Sequence, residues 1–147
     1  MLGDKYQTTL VLVGTKSGTT RTSRTLTAAY DVANKTKIFD TGGMSKINFS
    51  ILYTTGASET SNSIELRIES SPDRTNFYRI PNESVSAGTS TLTQREFTFV
   101  GASAATAYDL SLPLDLQDEH MRISVKESGV VTNFGTIYIE ATISGSK

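Results

Sequence analysis

The chain contains no cysteine and no tryptophan, and it has one histidine and three prolines in 147 residues. Without thiols there can be no disulfide, no thiolate metal site and no cysteine nucleophile. His120, the lone histidine, stands among Asp115, Asp118 and Glu119. Metal or acid–base chemistry there would need further ligands or a nucleophile held nearby, and no motif supplies them, so the stretch reads as a polar turn. Long apolar runs are missing too. Leu10 to Val13 is the one apolar run near the start, far too short for a membrane span or the hydrophobic region of a signal peptide. The glycine-rich Gly14 to Thr20 fails as a phosphate loop, because its order is Lys-Ser-Gly and no helical pattern follows. No cofactor, no metal, no membrane and no enzymatic activity are expected.

Charge of one sign is also lacking, with 14 basic against 15 acidic residues and a net of −1, so no whole-molecule field favours nucleic acid. The distribution is uneven. Residues 1–37 carry six cations against two carboxylates, a net of +4, which leaves −5 for the rest.

What is present is a chain rich in Ser and Thr, roughly a quarter of all residues, with repeated period-two alternation. Ser63 to Ile80 sets Ile64, Leu66 and Ile68 against Glu65, Arg67 and Glu69, then turns at 72–76 through Pro72, Asp73 and Asn76. This predicts a hairpin in which Glu69 faces Arg79 and Ile68 faces Ile80. Lys46 to Tyr53 is a second strand, with Ile47, Phe49, Ile51 and Tyr53 on one face. Arg95 to Val100 turns Phe97 and Phe99 inward. Tyr108 to Leu116 alternates cleanly but contains Pro113, which places it at an edge or a bulge. Met121 to Glu127 and Thr136 to Ser144 read as a hairpin with Val125 facing Ile137, Ile123 facing Ile139 and Arg122 opposite Glu140. Pro81 to Ser90 reads as a loop.

No helical period of useful length appears. About eight short antiparallel strands predict an all-β fold, a two-sheet β-sandwich of the jelly-roll kind, with a closed barrel as the alternative. Its core is expected to hold Ile47, Phe49, Ile51, Leu66, Ile68, Phe97, Leu110, Leu112, Ile123, Val125, Ile137 and Ile139. The sandwich is assigned to residues 25–147 and an extended arm to residues 1–24, because Gly14 to Arg24 has no buried pattern. Partner binding is expected from that arm. Lys5, Lys16, Arg21 and Arg24 would meet acidic groups on a neighbour, while Leu10, Val11, Leu12 and Val13 add a strand to an exposed sheet edge.

The segment Ser70-Ser71-Pro72-Asp73-Arg74-Thr75-Asn76-Phe77-Tyr78 resembles the S-x-D-G-T-N-W/F-Y hairpin of small β-sandwich proteins in tailed-phage virions, and also of discoidin-like sugar-binding domains. Arg74 stands where glycine is usual and Phe77 where tryptophan is common. With its size, its Ser/Thr content and its basic leader, the chain is similar to capsid decoration (cement) proteins. That resemblance implies a non-enzymatic virion protein on the capsid exterior, assembled in the host cytoplasm. Its partners would be the major capsid protein and copies of itself, as trimers that cover open sheet edges. The alternative is a carbohydrate- or receptor-binding module of a phage tail or neck. Sugar platforms are usually aromatic, and Phe77, Phe134 and Tyr138 are the rings expected to be exposed.

Overall fold

A computed structural model describes residues 5–30, 38–116 and 119–146, and among them every regular element is a strand. In chain order these are β1 (Lys5–Val13), β2 (Thr15–Ser17), β3 (Thr20–Thr22), β4 (Arg24–Thr25), β5 (Ile38–Asp40), β6 (Lys46–Thr54) and β7 (Asn62–Ser71). They continue as β8 (Tyr78–Arg79), β9 (Pro81–Ser86), β10 (Thr89–Gln94), β11 (Phe97–Gly101), β12 (Ala107–Asp115), β13 (His120–Ser128) and β14 (Thr136–Ser146).

Two antiparallel sheets carry the fold, ordered β1-β14-β6-β12 and β11-β7-β13-β5. Taken as eight main strands in chain order, the first sheet reads 1-8-3-6 and the second 5-4-7-2, which is the connectivity of two Greek keys wrapped as a jelly roll. Alternation decides which side chains fill the gap between them. Ile47, Phe49, Ile51 and Tyr53 of β6 meet Ile64, Leu66 and Ile68 of β7, with Met121, Ile123 and Val125 from β13 and Ile137, Ile139, Ala141 and Ile143 from β14. Nine of the twelve expected core residues are fully buried. The other three, Phe97, Leu110 and Leu112, are half-buried because β11 and β12 are the free edges of their sheets. Pro113 lies on edge strand β12, as its missing N–H requires.

The first hairpin forms in the expected register, with Glu69 opposite Arg79 and Ser70 opposite Tyr78. Its turn is set by Asp73, whose carboxylate accepts the backbone N–H of Thr75 at 2.9 Å and of Asn76 at 2.8 Å. These donors hold the Asp73 carboxyl well below the usual carboxylate range. Arg74, not Asn76, takes the left-handed conformation, at φ 62°, in the position where the resembling hairpins carry glycine.

Three expectations are corrected. The expected pairing of 121–127 with 136–144 does not form, because β13 and β14 lie in different sheets. β13 pairs with β7 instead, setting Ile123 opposite Ile68 and Arg122 opposite Glu69, and the guanidinium grips that carboxylate with two bonds of 3.1 and 3.2 Å. Residues 81–90 are not a loop but most of a second hairpin, β9–β10, turned at Ala87 and Gly88, which both have positive φ as a two-residue turn of this hand demands. Finally, the leading segment does not stand off the body. β1 is the outer strand of the first sheet, paired along β14 from Lys5–Ser146 to Val13–Ile139 with a bulge between Val11 and Val13.

Candidate functional site

The arm expected to bind a partner is largely used by the chain itself. The bulge turns consecutive residues Leu12 and Val13 inward, at 3% and 1% exposure, while Leu10 and Val11 are half-buried. Lys5 sits in β1, its side chain outside the described residues. Lys16 and Arg21 occupy a small hairpin, β2–β3, that folds over the first sheet. There Lys16 Nζ lies 3.3 Å and Arg21 Nε 4.0 Å from the carboxylate of Glu140, which also accepts the Tyr138 hydroxyl at 2.8 Å. Within the single chain, Lys16 and Arg21 thus meet an acidic group of their own sheet. The bond from Tyr138 and the two cations keep the Glu140 carboxyl below its ordinary value, and burial with that same bond pushes the Tyr138 phenol up to about 12. Arg24 lies in β4, where its backbone pairs with Ile137. Tyr138 is buried, against expectation, Phe77 is half-buried beneath the Arg122 guanidinium at 3.8 Å, and Phe134 is exposed.

At one end of the sandwich two buried carboxylates organise the loops. Glu59 accepts the backbone N–H groups of Val131, Thr132 and Asn133 at 3.0, 2.5 and 2.7 Å, which lowers its carboxyl to about 2. Glu127 spans the two sheets, accepting the Tyr53 hydroxyl at 2.6 Å and the Gly135 N–H at 2.7 Å. Burial and the Glu127 carboxylate push the Tyr53 phenol far above its ordinary value. The loop held in this way displays Val131 at 89% exposure. His120, expected in a turn, opens β13 and places Nδ1 2.6 Å from Asp40, which Arg74 also approaches at 3.4 Å. Among the described residues no cluster of three or more His, Cys, Asp or Glu side chains is placed to hold a metal ion.

The surface with most to offer a partner lies at the edge formed by β11 and β12. The strand that borders the second sheet is broken in two. Tyr78 and Arg79 pair with one end of β7, Phe97 to Gly101 with the other, and between them the chain leaves the sheet as the β9–β10 hairpin. Its neck is closed by the Arg95 N–H on the Ile80 carbonyl at 2.8 Å. The hairpin pairs only with itself, and Val85 and Leu92 are both 69% exposed. Beside it, between β11 and β12, runs a groove of about 390 Å³ walled by Phe97, Phe99, Leu110 and Leu112 and floored by Ile51 and Leu66. The Arg95 guanidinium stands on the rim, 4.9 Å from the Phe97 ring.

Nothing in the sequence reading reached this hairpin, although its signal was present. Thr89 to Thr93 is rich in β-branched residues, and Ala87-Gly88 sits where a two-residue turn would join it to Glu83–Ser86. In comparison with known proteins, no family model matches the chain and no curated protein matches it in sequence.

Proposed function

We propose that this chain is a non-enzymatic structural protein that works by surface contact, docking on the outside of a phage capsid to decorate or reinforce it. The observation that carries the reading is the β9–β10 hairpin, a two-stranded ribbon displayed away from a rigid jelly roll with its apolar side chains in water. Such a ribbon is marginal alone, and exposed apolar groups on it gain most of their value when a partner covers them. A carboxylate-clamped loop presenting Val131 at one end of the sandwich adds a second prearranged contact.

The test is electron microscopy of capsids with and without the purified chain. Decoration predicts added density on assembled shells and no glycan bound by the isolated protein. Glycan binding without shell binding would refute the reading and favour a receptor-binding module of a tail or neck.

A further inference from the structure

We infer that copies of this chain associate by laying the β9–β10 hairpin of one into the β11/β12 groove of the next. The inference deepens the surface-docking reading by naming a second copy as a partner. Residues opposite one another in an antiparallel ribbon share a face, so the pairs Glu83–Leu92 and Val85–Ser90 place Glu83, Val85, Ser90 and Leu92 together. Ser84, Ser86, Thr89, Thr91 and Thr93 fall on the other side. The ribbon is therefore amphipathic, with one face of two large apolar side chains and a single carboxylate. Every copy also carries the matching receptor. The groove is walled by two phenyl rings and two leucines and bears one carboxylate, Glu96, already engaged by Arg79 at 3.5 Å, and one cation, Arg95, which faces no carboxylate in ion-pair contact among the described residues.

Charge and shape agree on the orientation, since Val85 and Leu92 fit the apolar walls while Glu83 reaches Arg95. Length agrees as well. Six-residue β10 spans roughly 20 Å and five-residue β11 roughly 17 Å at about 3.3 Å per residue. Both walls are sheet edges with one unpaired side, so an entering ribbon finds backbone donors and acceptors as well as apolar surface. The hairpin does not fill its own groove, because it leaves the rim outward and its apolar face remains in water. Whether two copies exchange hairpins or three close a ring, each contact is the same ribbon in the same groove.

Sedimentation velocity of the full chain across a concentration series tests this, with far-UV dichroism and the unfolding midpoint as controls of fold. The wild type is expected to form a discrete oligomer. Leu92→Asp should weaken association at least about thirtyfold, as loss of a central apolar anchor does, without moving the dichroism. Arg95→Glu should also weaken it, and adding Glu83→Arg should restore it. Mixing Leu92→Asp, whose groove is intact, with Arg95→Glu, whose hairpin is intact, should give a one-to-one complex that neither forms alone. A wild type monomeric throughout the series, an oligomer indifferent to Leu92→Asp, or a charge reversal that fails to restore assembly would each overturn the inference. The arms separate it from the capsid reading, since the assay needs no particle. Oligomers that ignore shells refute decoration alone, and monomers that coat shells refute the hairpin contact alone.

Discussion

Replacing Leu12 by alanine separates a free arm from a structural strand. Leu12 is 3% exposed and packs on the core from β1, beside Val13 at the bulge. Truncating a buried leucine removes its transfer free energy and leaves a cavity, a cost of about 2–5 kcal/mol. For a chain of this size each kcal/mol lowers the thermal midpoint by about 2–4 °C, so the expected fall is roughly 4–20 °C. Val131→Ala, at a residue 89% exposed, is the control and should stay within about 0.5 kcal/mol. Thermal unfolding and urea titration measure both, and an unchanged urea slope certifies that the loss is one of stability. Removing residues 1–13 should go further and broaden or abolish the cooperative transition, because β14 would then lose its neighbour on one side and the core two buried side chains. If Leu12→Ala unfolds no earlier than Val131→Ala, β1 is not part of the stable body and the argument from its burial fails.

Three further outcomes follow from the loop end and its carboxylates. Glu59 titrates near 2 in the folded chain against an ordinary 4.5, so its contribution is complete above about pH 4.5 and is lost as pH falls toward 2. Asp73, Glu65 and Glu140 are lowered in the same direction, so urea midpoints should fall across that acid window, more shallowly in Glu59→Gln, and a flat profile would contradict the three-donor clamp. Tyr53→Phe leaves the buried Glu127 carboxylate one donor short and should cost about 1–3 kcal/mol, read as a lower midpoint; no change would mean the 2.6 Å bond contributes nothing net. Gly56→Ala would drive a methyl into the Asn133 carbonyl, so the clamped loop must shift, and amide-exchange protection at Val131 to Asn133 should drop while β7 and β13 keep theirs.

Strict alternation made much of the fold legible. Lys46–Tyr53 and Tyr108–Leu116 name their buried faces outright, and Glu69 opposite Arg79 pins the register of the first hairpin. Leu10–Val13 was harder, because a bulge that turns two consecutive residues inward leaves no period for a pattern to find. The β9–β10 hairpin was hidden for a different reason. Ser and Thr on one face and only Val85 and Leu92 on the other give it the composition of a loop, and its apolar groups face water in the single chain. Alternation finds strands that bury something within one chain, so a ribbon whose apolar groups stay in water falls outside its reach.

The misplaced partner of β13 shows where the missing information lay. Val125, Ile123 and Arg122 find Leu66, Ile68 and Glu69 on β7, while the rejected pairing offered Ile137, Ile139 and Glu140; the two alternatives are chemically equivalent. Neither packing nor charge chooses between them. Glu127 does, because the alternation that turns Met121, Ile123 and Val125 inward turns this carboxylate inward as well. A carboxylate on a dry face is tolerable only if donors converge on it. Here they are the Asn62 side-chain amide of neighbouring β7 at 3.5 Å, and the closer Tyr53 hydroxyl and Gly135 N–H, these two belonging to the opposite side of the sandwich. A tight hairpin between β13 and β14 would have carried Gly135 along the edge of its own sheet and left Glu127 without that donor. The connection crosses instead, fixed in passing by Glu59, and β14 enters the first sheet between β1 and β6. The polar residue on the apolar face, rather than the apolar residues, selects the jelly-roll crossing.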